Sequence, residues 1–331
     1  MKKILITGTS GFIASYLYKK FEGDGYDVLG LDKRLPSNKA ITNYEQVDIL
    51  NLDALKDVFT NYKPDTVLHL AARTDLGKGD TIDDFKDNTD GTKNIIEVCN
   101  ASNSVKKVLF TSTILVLPTR VNPNHDTHFN PKSPYGESKM IGEQDIRSTL
   151  KADWIIIRPT SIWGPSEGSH YELFFNKIYQ NRYFNISGYD PKITFGYLGN
   201  FYYQISQLLN HSKATGNIYY IGDYEPVNVR KWAQLISNGF FGRKIKSLPF
   251  PMLKCLALLG DIFITLFKFK KFPLNSYRLS NLTKDRIYDL EKTKSLAPVL
   301  PYSLEKGVEE TVIWYKSKKN CNENKCSNSK L

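Results

Sequence analysis

Lys2-Lys3-Ile4-Leu5-Ile6-Thr7-Gly8-Thr9-Ser10-Gly11-Phe12-Ile13-Ala14 opens the chain, and its reading decides the fold. The apolar run Ile4–Ile6 has the pattern of a strand buried on both faces. A glycine turn follows, and then a helical pattern through Ser15, Leu17 and Phe21. Strand, glycine turn and helix in this order begin a dinucleotide-binding unit. In such a unit Gly8 lets the chain turn sharply. Gly11 has no side chain to hold a pyrophosphate away from the backbone amides around Ser10, Phe12 and Ile13, and the helix N-terminus adds partial positive charge. Ala14 is small enough for close helix–strand packing. The glycine spacing alone also fits an ordinary tight turn. A second apolar run, Asp27–Leu31, decides against that, because it ends in Asp32, where a carboxylate would meet the adenosine ribose hydroxyls, with Lys33 beside it.

Outward from this unit, strands and helices alternate. Gln46–Ile49 reads as a strand end, Asp53–Tyr62 as a helix, Thr66–Ala72 as a buried strand, and Asn88–Ala101 as a helix. Val105–Ser112 reads as a strand, residues 138–150 as a helix, and Trp154–Pro159 as a buried strand closed by proline. The alternation predicts an α/β fold with a doubly wound parallel sheet and right-handed crossovers. Ligands of such sheets sit beyond the carboxyl ends of the strands. Gly8, Asp32, Ala71, Thr113 and Pro159 all fall at those ends. The second half is less regular. Helices are expected over 171–187, 201–211 and Val229–Ser237, the last capped by Asn228, with a strand at Asn217–Gly222. Together they are expected to form a smaller lobe closing the crevice.

The 331 residues suffice for a large core, and 41% hydrophobic content is ordinary for a globular chain. The N-terminus is itself the first strand, so no secretory signal is expected. Of four cysteines, Cys99 and Cys255 fall in helices and Cys321 and Cys326 in a polar tail, which suggests no disulfide framework and no metal site. A reducing cytoplasm fits. The net charge of +11 is uneven: residues 1–239 carry +1 and residues 240–331 carry +10. That asymmetry points to an anionic surface as partner, or to a solvated basic tail, rather than to nucleic acid. The tail from Lys316 to Leu331 is polar and expected to be disordered.

Tyr135-Gly136-Glu137-Ser138-Lys139 is the catalytic candidate. Tyrosine and lysine four apart on a helix share a face. A nearby ammonium favours the phenolate, so it is expected to lower the tyrosine pKa and make an acid/base usable near neutrality. Thr113, at the end of Phe110-Thr111-Ser112-Thr113, could bring a hydroxyl to the same substrate oxygen.

These motifs, in this order, resemble the extended short-chain dehydrogenase/reductase family, which contains the NAD-dependent epimerases and dehydratases of nucleotide sugars. The resemblance rests on Thr7–Ile13, His69–Ala72, Asn88 with Gly91-Thr92, Thr111–Thr113, Tyr135–Lys139 and Arg158-Pro159, and covers residues 1–315. It implies a Rossmann-type NAD-binding domain over 1–165 with later returning elements, and a substrate-binding lobe over most of 166–315. It implies Tyr135 as catalytic acid/base, Lys139 as ribose ligand and pKa modulator, and Thr113 as hydroxyl partner. NAD, rather than its 2′-phosphate, is implied by Asp32. Asp48 and Ile49 resemble the pair that holds the adenine, and Leu70, Ala71, Ala72, Asn88, Thr111 and Pro159 complete the implied cofactor set. A homodimer through the helices after Asn88 and Tyr135 is also implied. Two departures narrow the chemistry. Where sugar dehydratases carry an Asp-Glu pair after the catalytic threonine, this chain has Ile114 and Leu115, which cannot serve an elimination. The strand end Val116-Leu117-Pro118 also differs from many epimerases. Trp163, His170, Tyr197 and Asn200 are candidate substrate contacts by order alone.

Residues 248–272 set the chain apart, because a soluble nucleotide-sugar epimerase needs no such apolar run. Lys254, Asp261 and Lys268 interrupt it too often for a bilayer span. Phe267-Lys268-Phe269-Lys270-Lys271-Phe272 mixes aromatic and basic groups as an interfacial segment does; a helical hairpin packed in the lobe is the other reading. Tyr224–Asn228, Leu248–Pro251, Gly260-Asp261, Asn275–Leu279 and Pro301–Gly307 together resemble bacterial epimerases acting on undecaprenyl-diphosphate-linked N-acetylglucosamine. The expectation is therefore a sugar epimerase of surface polysaccharide biosynthesis. It would invert a hydroxyl, at C4, of a lipid-diphosphate-linked or nucleotide-linked hexose or hexosamine, in the cytoplasm with peripheral membrane contact. The alternatives are a soluble nucleotide-sugar 4-epimerase and an NAD(P)-dependent sugar or steroid-type alcohol dehydrogenase/reductase.

Overall fold

A computed structural model describes residues 2–36, 40–75, 80–118, 121, 123, 125–266 and 274–328, without the side chains of 265, 266, 277 and 321–328. Strands β1 (Lys3–Thr7), β2 (Asp27–Asp32), β3 (Tyr44–Gln46), β4 (Thr66–His69), β5 (Lys107–Thr111) and β6 (Asp153–Pro159) form the sheet with Asn217–Ile221. Their order is 217–221, β6, β5, β4, β1, β2, β3, and every pairing is parallel. This is the expected doubly wound sheet, with its switch point between β1 and β4.

The strands read as near-continuous apolar runs because helices cover both faces. Helix α1 (Phe12–Gly23) lays Ala14, Leu17, Tyr18 and Phe21 on one face, and α2 (Leu52–Tyr62) and α3 (Asp90–Ala101) cover the other. Helix α4 (Pro134–Thr149) packs Ile146 against Phe110 and Ile156. Its start is sharply defined: Pro134 sits in the first turn and Ser133 Oγ accepts from Gly136 N at 3.1 Å.

Two expected lobe elements belong to the sheet side instead. Asn217–Ile221 pairs along β6 with Ile218, Tyr219 and Ile221 buried, because β6 would otherwise leave a row of unpaired backbone groups. Helix α6 (Leu198–Asn210), which follows α5 (Glu172–Tyr179), packs Leu198, Phe201, Ile205 and Leu208 into the same core as α1. The lobe has its own aromatic core of Trp163, Phe175, Phe195, Tyr197 and Trp232. It is closed by Val308, Val312 and Tyr315 of the C-terminal helix (Leu304–Asn328).

Two local expectations are corrected. Asn228 occupies the N-cap of α7 (Val229–Phe240) without capping it through its side chain. Its amide bonds instead to Asp190 Oδ2 at 3.0 Å, while Asp190 Oδ1 accepts from Arg230 N at 3.1 Å and does the capping. The tail is not disordered from Lys316, since the C-terminal helix continues to Asn328. Tertiary anchors hold the first residues past the expected start of the tail. Lys316 Nζ donates to Gly239 O at 2.9 Å, and Lys318 Nζ pairs with Glu172 at 2.7 Å.

Between α7 and the C-terminal helix, the described residues also form α8 (Phe250–Leu266), α9 (Ser276–Leu282) and the short helix Glu291–Lys294. The expected aromatic and basic run 267–272 lies outside the described residues.

Candidate active site

The site is built where β1 meets β4. Gly8 has φ +80°, and a Cβ there would lie 2.8 Å from Ala71 Cα and N, so the glycine turn sits directly on the end of β4. Thr7 Oγ1 accepts from Leu70 N at 3.2 Å and Ala71 N at 3.0 Å and bonds His69 Nδ1 at 2.8 Å. His69 Nε2 reaches Thr92 Oγ1 at 3.2 Å, whose hydroxyl donates to Asn88 O at 2.7 Å. These partners fix the neutral tautomer with hydrogen on Nε2. Burial, with Lys139 adding to it, pushes the imidazole down to about 3. His69 therefore ties β1, β4 and α3 together.

Asp32 closes the other side. It is largely buried, and Oδ2 accepts from Ser10 N at 3.1 Å while Oδ1 accepts from Arg34 N at 3.0 Å. Its carboxylate thus faces the glycine turn. Lys33 turns away to Asp87 at 2.7 Å. The crevice fits NAD: the side-chain-free turn at Gly8 and Gly11, the Asp32 carboxylate beside it, and Thr111 Oγ1, buried without a hydrogen-bond partner, supply the acceptors and donor a dinucleotide needs.

Other expected cofactor residues hold the frame. Ile49 is buried beneath Gly91, where a Cβ would meet it at 2.5 Å, and Asp48 Oδ1 accepts from Leu50 N at 3.0 Å in its own turn. The buried Asn88 amide is fully engaged. Oδ1 accepts from Arg73 N at 2.7 Å, and Nδ2 donates to Arg73 O at 3.0 Å and to Ser138 Oγ at 2.9 Å. Asn88 thereby pins the segment after Ala72 to the first turn of α4.

That turn presents Tyr135. Gly136 makes its placement possible, since a Cβ there would lie 2.3 Å from Leu115 O. The same approach puts the one-turn helix Ile114–Val116, just after Thr113, against α4; Thr113 Oγ1 accepts from Leu115 N at 3.2 Å, and its hydroxyl acts to lower the Tyr135 pKa. Lys139 is buried one turn on, with Nζ 4.3 Å from the Phe110 ring centre.

The expected pKa sign is corrected here. Burial pushes the Tyr135 phenol up to about 12, with the Thr113 hydroxyl acting the other way. Burial also brings the Lys139 ammonium down to about 7, against the pull of Glu143. In a site this dry, desolvation outweighs the neighbouring charge.

Sequence reading missed the buried network beside these residues, formed by Ser112, Glu143, Arg158 and Tyr220. Glu143 falls one turn beyond Lys139, and Arg158 interrupts the apolar run Ile155–Ile157; a charge in a strand buried on both faces was the available signal. The position-only substrate contacts fare differently. Trp163 and Tyr197 are buried in the lobe core, Asn200 is buried with its amide on Asp223 at 2.8 Å and Tyr302 O at 2.9 Å, and His170 is exposed.

Comparison with known proteins agrees with this architecture. An epimerase family model, described as the NAD dependent epimerase/dehydratase family, matches residues 4–222. An N-acetyl-α-D-glucosaminyl-diphospho-ditrans,octacis-undecaprenol 4-epimerase of Escherichia coli O157:H7 is 27% identical over 93% of this chain and 94% of its own length. A sterol-4-α-carboxylate 3-dehydrogenase, decarboxylating, of Dictyostelium discoideum is 26% identical over 83% of this chain and 88% of its own. Among solved structures, Pal from Bacillus thuringiensis superposes with TM-score 0.72 at 27% identity, covering 95% of this chain and 99% of Pal. The UDP-glucuronic acid 4-epimerase of Bacillus cereus, in complex with NAD, gives the same TM-score and coverage at 21% identity and bears on the fold alone. The chain is an enzyme of the NAD-dependent epimerase/dehydratase family, within the extended short-chain dehydrogenases/reductases, and its cofactor is NAD.

Proposed function

We propose that the protein is a 4-epimerase of an N-acetylhexosamine carried on a polyprenyl diphosphate, working at a membrane surface in surface polysaccharide biosynthesis. The observation that carries the choice of carrier is α8. Met252, Leu256, Leu258, Leu259, Ile262 and Phe263 are 38–50% exposed, while the small residues Ala257 and Gly260 face inward. Half-burying such side chains leaves about 1 kcal/mol of transfer energy in each. Six together give roughly 6 kcal/mol, comparable with one myristoyl chain and enough for reversible surface binding. The segment entering α8 carries exposed Arg243, Lys244 and Lys246, which suits an anionic leaflet. Among the described residues, no helix is long and apolar enough to cross a membrane. The full-length match to an undecaprenol-linked 4-epimerase supports the same reading.

At the sugar, Tyr135 takes the proton of the C4 hydroxyl and returns it, with Thr113 orienting the phenol and Lys139 stabilising the phenolate. NAD, when bound there, would supply the hydride acceptor and donor for that carbon. Gly8, Ser10, Gly11, Phe12, Ile13 and Asp32 hold the cofactor on one side of the crevice, and Leu70–Ala72, Thr111 and Pro159 on the other. Ile114 and Leu115 bring no carboxylate to the pocket, which favours epimerisation over elimination. A homodimer pairing α3 and α4 with their copies belongs to this reading, and sedimentation measures it.

The test offers purified protein and NAD two substrates in parallel, UDP-N-acetylglucosamine and undecaprenyl-diphospho-N-acetylglucosamine, with sugar stereochemistry read after hydrolysis. Galacto product from the lipid alone supports the proposal. Product from the nucleotide sugar returns α8 to packing within the lobe. NADH accumulating with an alcohol, and no epimer, makes the protein a dehydrogenase.

A further inference from the structure

The site contains a buried ion pair to which none of the steps above gives a task. On α4, Tyr135, Lys139 and Glu143 recur every fourth residue and share a face. Both Glu143 oxygens are taken: Oε1 accepts from Ser112 Oγ and from Arg158 Nε at 2.9 Å, and Oε2 accepts from Arg158 Nη2 at 2.7 Å. Neither side chain has any exposed surface. Arg158 Nη1 donates to Tyr220 OH at 3.1 Å and Nη2 to Asp126 O at 3.0 Å, so the guanidinium is held from the edge strand and from the segment before α4 as well.

The placement matters more than the pair. Ser112 precedes Thr113, and Arg158 precedes Pro159. Ser112 N also donates to Ile157 O at 2.8 Å. One carboxylate therefore ties α4 to the ends of both strands that deliver the hydroxyl partner and the far wall of the crevice. A buried ion pair of this kind adds little net stability, because desolvation offsets the attraction. A task in the site explains it better.

We propose that Glu143 is a positioning residue: clamped by Ser112 and Arg158, it fixes Thr113 against Tyr135 and supplies the negative charge that faces Lys139. Every group around Lys139 is consistent with this. His69 on β4 is neutral, Phe110 on β5 offers a ring face, Tyr135 on α4 is a neutral phenol, and Arg158 on β6 lies with its charge spent on Glu143. Among the described residues the Glu143 carboxylate, one turn further along α4, acts on the buried ammonium and opposes the effect of burial.

The proposal rests on Tyr135 and Lys139 acting as assigned above, and Lys139→Met tests that separately by abolishing turnover. Glu143→Gln keeps the shape and removes the charge. Lys139 then loses its proton more readily, so the alkaline limb of the kcat profile moves down by about one pH unit or more, with KM nearly unchanged. Should Glu143→Gln not fold, Glu143→Leu combined with Arg158→Met removes both charges together and is expected to move the limb the same way. A profile superimposable on the wild type in a folded variant, with only the melting temperature lowered, overturns the proposal. Full turnover by Lys139→Met overturns the site assignment instead.

Discussion

Helices α4 and α8 differ in opposite directions from an ordinary surface helix. Helix α4 hides a lysine and a glutamate and encloses them with apolar strands. Helix α8 turns its small residues inward and leaves leucine, isoleucine and phenylalanine half-exposed. Water explains both. Around α4 its exclusion makes each remaining charge act strongly and leaves desolvation in control of the pKa values. Around α8 leucine, isoleucine and phenylalanine side chains stay partly exposed, and a lipid surface would complete their burial. The difference teaches that hydrophobic content does not identify a core: α8 is the more apolar sequence, and α4 is the more buried helix.

The largest expected effect breaks the chemistry of α4 alone. Tyr135→Phe removes the proton carrier and preserves the ring, so kcat falls by about 10³-fold while NADH binding, followed by cofactor fluorescence, stays near wild type. Activity retained in this variant would remove α4 from the mechanism. The second prediction acts on α8. Leu258→Ser, Leu259→Ser and Ile262→Ser together remove roughly 3 kcal/mol of transfer energy and lower partition onto phosphatidylglycerol vesicles by about 100-fold. Turnover of a short-chain, water-soluble substrate analogue stays unchanged. Unaltered vesicle partition would make the exposed face of α8 irrelevant to membranes.

The third prediction concerns how closely α4 is seated. Gly136→Ala drives a Cβ to 2.3 Å from Leu115 O, a backbone atom that has no rotamer to escape into. Overpacking of this kind costs about 1–3 kcal/mol, read as a lower urea midpoint, and activity falls further than stability because Thr113 moves with Leu115. An unchanged midpoint would show that the turn after β5 relaxes freely.

The sheet was legible because its signals are local. Apolar runs such as Ile4–Ile6 and Ile155–Ile157 and the turn at Gly8 need no distant partner to be recognised. What escaped was set by tertiary context. The edge strand 217–221 has the same local pattern wherever it pairs, and only the open edge of β6 draws it from the lobe into the sheet. The cap of α7 comes from Asp190, forty residues upstream of Arg230 in sequence, so Asn228 looked sufficient. In the site, spacing put Tyr135 and Lys139 one turn apart on a single helix, and α4 carries both. The sign of the pKa effect depended on how dry the site is, which spacing does not encode.

The smallest effect sharpens the account of the dry side. His69 is held neutral at about 3, against about 6.5 in an unfolded chain. Between those values the unfolded state binds a proton that the folded state refuses. Stability therefore falls as pH drops through that window, by up to about 1.4 kcal/mol per pH unit. Lys139 has the same sign in a higher window, because its ammonium sits near 7 when folded and about 10.5 when unfolded, so the two contributions separate on the pH axis. His69→Leu loses the Thr7 bond and is less stable at pH 8 by about 1–3 kcal/mol. Below pH 6.5 its urea midpoint declines less steeply than that of the wild type, and the two curves converge. Carboxylates elsewhere titrate in both proteins and cancel in the difference. Parallel curves would mean that His69 accepts a proton in the folded state, and the interior behind α4 would then be wetter than its burial implies.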